Sequence, residues 1–172
     1  MSDISIYEIT VTQVIKNLDH LKRFIDKGKS FAESKKIEID VLLNSRLAPD
    51  QYNFIRQIQL ACDTAKLGAA RLTGKQFQSH DDKEKTLSEI TDRIDSVVGI
   101  LKGLKPEDYK DASDIKISLP RWEGKSLTGK EYALHHMIPN FFFHIVTAYD
   151  ILRHNGVELG KKDYLGDFPF KS

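Results

Sequence analysis

The stretch from Pro139 to Val157, PNFFFHIVTAYDILRHNGV, sets the tightest limit on the fold. It reads as a buried amphipathic helix, yet Asn140, His144 and Thr147 recur three and four positions apart. On a helix that spacing stacks the polar side chains into one stripe. Asn155-Gly156 then supplies a C-terminal stop. Such a segment belongs inside a helical assembly, with its polar stripe turned toward something that satisfies it.

Three further segments share the helical period. Val11, Val14, Ile15, Leu18, Leu21, Phe24, Ile25 and Phe31 predict a helix from about 11 to 34. A connector over 35–50, with a short apolar turn at 39–43, leads to Ala48-Pro49-Asp50. A second helix is predicted from about Gln51 to Leu72 or Thr73, ending at Gly74, with Phe54, Ile58, Ala61, Ala65, Gly68 and Leu72 inward. A third runs from about Thr86 to Leu101. Between 104 and 128 the period changes: Ile115, Ile117 and Leu119 alternate with polar residues, as in a short strand, and Lys125-Ser126-Leu127 returns beside it. A lone hairpin is marginal in water, so this one must pack on the helices. Thr128 and Glu131 make a capping box for the last helix, which Pro139 should kink. The reading is all-α: four main helices and one small hairpin in a single domain over residues 1–172.

The charge sum, 26 basic against 25 acidic residues, gives no field that favours nucleic acid or an anionic membrane. The longest apolar run, Ile138 to Ile145, is too short to span a bilayer. The first ten residues lack the basic cluster and apolar core of a secretory signal. With the lone Cys62 on an apolar face, these features predict a reduced, cytoplasmic setting. No phosphate-binding glycine loop, GxSxG elbow, CxxC pair or HExxH motif is present.

Three separated motifs, RLAPDQYNFIRQIQLACDTAKLGAARLTG, PNFFFHIVTAYDILRHNGV and LGKKDYLG, together resemble the bacterial domain-of-unknown-function family numbered 1993. That family is similar to the DinB/YfiT-like superfamily of four-helix bundles. The resemblance implies an up-down-down-up bundle, commonly dimeric. In metal-binding members of the superfamily, one histidine of the second helix joins two at i, i+4 on the last, and the metal activates water or a small thiol. His144 here takes the place of the second of those two. Asn140 stands four residues before it, and the second helix has no histidine, its nearest substitutes being Gln59 and Asp63.

Several residues then become candidates. Arg56, Gln59, Asp63 and Lys66 form a polar stripe on the second helix, read either as a solvated face or as a lining opposite Asn140 and His144. Lys66 and Arg56 would attract an anionic group. His144 is either a ligand or general base at the bundle mouth, or a histidine bonded to a carboxylate or carbonyl. His136 shares its four-residue spacing, His135 points to the other side of the helix, and His20, His80 and His154 read as surface residues. Phe141, Phe142 and Phe143 cannot all enter one core, so at least one should meet a partner, the hairpin or the tail.

The leading expectation is a small-molecule-binding bundle with a degraded metal site, its cleft lined by Arg56, Gln59, Asp63, Lys66, Asn140 and His144. One alternative is a metal-dependent hydrolase or small-thiol transferase with a weak zinc or nickel site at His144 and Asp63, joined by His136. Another is a structural or interaction protein without a working cleft. No catalytic residue is named, no tightly held cofactor is expected, and a homodimer is. If Asp63 and His144 pair across the bundle, His144 should titrate above the ordinary histidine range.

Overall fold

The computed structural model describes residues 4–171. Four long helices carry it: α1 (Gln13–Lys35), α3 (Phe54–Thr73), α4 (Leu87–Lys102) and α6 (Ile138–His154). Shorter pieces are α2 (Ile39–Asn44), α5 (Gly129–Tyr132) and α7 (Lys161–Leu165). The closest packing is between α3 and α6, then between α3 and α4, while α1 leans on both α4 and α6. This places α1 and α3 at opposite corners of a four-helix bundle. Leu18, Phe24, Ile58, Ala65, Ile94, Val97, Phe141 and Ile145 fill the space between, all fully buried.

Local chemistry sets the boundaries. α3 starts at Phe54 rather than Gln51, because the Asn53 side chain accepts a hydrogen bond from Arg56 N at 3.0 Å and caps the helix. Gly74 ends it in the left-handed region at φ 70°. α4 opens on a capping box in which Thr86 and Glu89 satisfy each other's backbone N–H groups. The box expected at Thr128 and Glu131 opens α5. Pro139 acts where expected: with no N–H to give, it follows a π-helical turn, Ala133–Met137, that joins α5 to α6.

The hairpin is shorter than the alternation predicts. Only Lys116–Ile117 (β1) and Leu127–Thr128 (β2) pair, antiparallel, with Lys116 opposite Thr128 and Ile117 opposite Leu127. A tight turn, Pro120–Trp122, ends the first arm and folds Trp122 back against Tyr132.

The three phenylalanines part as their azimuths demand. Phe141 enters the core, Phe142 shares a groove with Tyr164 and Phe168 of the tail, and Phe143 is 54% exposed. His20 departs from its expected surface position. It is buried, and its Nδ1 lies 2.8 Å from the Tyr164 carbonyl oxygen, so the tail docks on it. His80 is half-buried rather than exposed, whereas His154 is exposed. Arg46 and Asp50 form no ion pair with each other; Arg46 donates to the Gln51 carbonyl instead. No described helix is long and apolar enough to cross a membrane.

Candidate functional site

Helix α3 presents two polar faces, and they meet different partners. Adjacent residues of a helix diverge by about 100°, so Asp63 and Thr64 cannot serve the same neighbour. Arg56, Gln59, Asp63 and Lys66 turn toward α4 and the segment 75–86. Gln57, Thr64 and Arg71, seven apart, turn toward the last helix.

The first face is an ionic lattice centred on Arg93 of α4, whose side chain is 1% exposed. Its guanidinium reaches Asp63 at 2.8 Å, Asp82 at 2.7 Å and Glu84 at 2.7 Å. Arg56 reaches Asp82 at 2.5 Å and donates to Gln59 Oε1 at 3.0 Å, while Gln59 Nε2 donates to Glu84 at 2.9 Å. Lys66, also 1% exposed, donates to the Gln78 carbonyl at 3.1 Å and to His80 Nδ1 at 2.6 Å, with Asp63 at 3.7 Å. Burial pushes the Lys66 ammonium below its usual range, with Asp63 opposing, and pushes His80 down together with the nearby Lys66 charge. Burial pulls the Asp82 and Glu84 carboxyls upward, but hydrogen bonds from the arginines overcome it and hold both below the usual range. Three cations thus face three carboxylates, and the lattice neutralises itself.

The second face forms a polar seam along α6 and the turn before it. His144 Nδ1 lies 2.8 Å from Gln57 Oε1, and Asn140 Nδ2 donates to Thr64 Oγ1 at 2.7 Å. Arg71 Nη1 donates to the Tyr132 hydroxyl at 3.0 Å. Between the second and third rungs Gly68 lets Met137 approach, since a Cβ there would overlap the Met137 side chain. Thr147 contributes nothing across the seam, because its hydroxyl donates to the Phe143 carbonyl of its own helix.

An amide oxygen facing Nδ1 makes that nitrogen the protonated one, so Nε2 carries the lone pair. Burial, reinforced by the Arg56 charge, lowers the His144 pKa to about 4. The expected opposition of Asp63 and His144 is therefore not found. Asp63 is held by Arg93 and Lys66 on the other face, and His144 titrates below the ordinary histidine range, not above it. Three of the six expected lining residues, Arg56, Gln59 and Asp63, converge on Arg93, Asp82 and Glu84, and Lys66 joins them through Asp63, His80 and the Gln78 carbonyl; Asn140 and His144 meet Thr64 and Gln57. Gln57, Thr64 and Arg71 were legible as an i, i+7, i+14 series, masked by the more strongly charged stripe beside them.

The seam does not suit a divalent metal. His144 and Asp63 lie on different faces, Asn140 is a weak donor engaged with Thr64, and one imidazole nitrogen is left. Among the described residues no three His, Cys, Asp or Glu side chains group so as to hold an ion. Cys62 is buried, and desolvation pushes its thiol up to about 12, so it is no nucleophile.

The profile of the family described as "Domain of unknown function (DUF1993)" matches residues 6–165. The chain belongs to that family. The crystal structure of a DinB family member protein from Shewanella denitrificans, at 1.83 Å resolution, is similar to it with a TM-score of 0.94 and 58% identity. The match covers 96% of this chain and 94% of that one. No curated protein matches. The DUF1993 chain is thus a DinB-like four-helix bundle with a small hairpin before its last helix.

Proposed function

We propose that this chain binds a small molecule on the seam between α3 and α6, against Asn140 and His144. One observation carries the reading: the neutral imidazole of His144 is positioned by Gln57, and its Nε2 lone pair has no donor among the described residues. That nitrogen is not among the enclosed unpartnered atoms, so solvent reaches it. A hydroxyl or amide N–H of a ligand would complete it. A base with a pKa of about 4 carries a proton poorly near neutral pH, which favours recognition over proton transfer. Arg56 is close enough to act on the His144 charge, while its guanidinium is held by Asp82 and Gln59. Of the wider lining expected from the sequence, Gln59, Asp63 and Lys66 serve the ionic lattice instead.

The test is a screen of neutral hydroxyl- and amide-bearing compounds by thermal shift, repeated on His144→Ala and Asn140→Ala. Binders should raise the melting temperature of the wild type and lose that effect in both variants. Binders that act equally on all three proteins would refute the site.

We also propose pairing with a second copy of the chain, supported by the exposed Phe143 and Val146 on α6 and Leu67 on α3. Sedimentation at tens of micromolar (an order-of-magnitude choice) should give a dimer that Phe143→Ser weakens; a monomer would contradict the pairing.

A further inference from the structure

The last rung of the seam carries an unbalanced charge. Arg71, near the C-terminal end of α3, and Arg121, in the turn of the hairpin, both act on His136. Arg121 Nη2 donates to His136 Nε2, and Arg71 donates to the Tyr132 hydroxyl. The ring of His136 stacks on Tyr132 at 5.2 Å and 15°, and Trp122 meets it edge-on at 5.5 Å and 76°. With Nε2 accepting, the imidazole proton sits on Nδ1, which is enclosed and has no acceptor.

The contrast with the other face of α3 is informative. There Arg56 and Arg93 share three carboxylates. Here, among the described residues, neither Arg71 nor Arg121 has an ion-pair partner. No carboxylate is among the groups acting on His136, and Glu131, the nearest acid in sequence, is spent on the Thr128 capping box. Two guanidinium groups and an imidazole converge without an acid, beside a half-buried indole. Like charges brought together in a partly desolvated place repel unless an anion separates them.

We propose that Arg71 and Arg121 form an oxyanion-binding site, taking a carboxylate or phosphate group between their guanidinium forks while His136, Tyr132 and Trp122 form its wall. Guanidinium forks match such oxygens in bidentate geometry. The site lies two helical turns from His144 and stands whether or not the seam there holds a ligand.

Trp122 is the only tryptophan in the chain, so tryptophan emission reports on this site alone. Titration with inorganic phosphate and separately with benzoate should give saturable changes in Trp122 emission. Arg121→Ala removes an exposed side chain and leaves the fold intact; it should weaken binding at least about tenfold, the effect expected for a charged hydrogen bond. Arg71→Lys keeps the charge but not the fork and should weaken it comparably. Saturation by phosphate alone assigns a phosphate site; tighter binding of benzoate assigns a carboxylate whose ring lies on the aromatic wall. No saturable response to either probe in a folded protein, or a response that both substitutions leave unchanged, would overturn the proposal.

Discussion

At the scale of single residues, the most consequential side chain is Gln57. It decides which nitrogen of His144 holds the proton, and it does so without charge. A carboxylate at that place would favour the imidazolium; an amide leaves desolvation unopposed. In an NMR titration of the wild type, His144 should hold its proton on Nδ1 at neutral pH and titrate near 4. Gln57→Glu should raise that pKa by about 1–3 units, while Asp63→Asn should leave it unmoved. A response to Asp63→Asn, or none to Gln57→Glu, would contradict the geometry. The sequence marked His144 and Asn140 correctly as the polar stripe of the last helix. Their partners Gln57 and Thr64 share an i, i+7 spacing, but they are uncharged and lie beside a more strongly charged stripe that masks them. Arg56, Asp63 and Lys66 drew attention by charge, and charge on a helix face does not reveal which neighbour will neutralise it.

At the scale of elements, helices were more legible than what lies between them. The 3.6-residue period places α1, α3 and α4 within a few residues, and the Thr128–Glu131 box is found where it was expected, although the last helix it opens is divided into α5, a π turn and α6. Segment 75–86 gave no such signal, since it has no period and most of its residues are polar. Its position is fixed by ion pairs instead: Asp82 and Glu84 on Arg93, Asp82 on Arg56, and His80 and the Gln78 carbonyl on Lys66. These long-range pairs cannot be read from spacing. Arg93 is the keystone because it joins α4, α3 and the strap through one buried guanidinium. Arg93→Met keeps the stem's packing but takes away the one cation on Glu84 among the described residues and leaves Asp63 and Asp82 to Lys66 and Arg56 alone, so the expected loss of stability is about 1.5–3 kcal/mol. Hydrogen exchange and proteolysis at Lys83 and Lys85 should rise well above any change in α1. Unchanged protection over 75–86 would mean that apolar contacts, Phe77 foremost, hold the strap.

At the scale of the whole molecule, the buried histidines couple the bundle to pH. His20, His80, His136 and His144 all have folded pKa values below the ordinary one, with burial the largest cause in each. For a histidine so depressed, the unfolded chain binds the proton first. Stability therefore falls as pH drops below about 6.5, and the loss is complete once pH passes the folded value. For His144 the window runs from 6.5 to about 4, and the corresponding loss is roughly 3 kcal/mol. The carboxylates act later with the same sign: Asp82 and Glu84, lowered from 3.8 and 4.5, give stability that disappears only as pH falls through their folded values. Between pH 6.5 and 4.5 the slope belongs chiefly to histidine. Urea unfolding over that range should show a steady decline in the wild type. His144→Gln, which cannot titrate, should flatten it while leaving the share due to His20, His80 and His136. An equally steep decline in His144→Gln would show that His144 is not the buried neutral base that the seam requires.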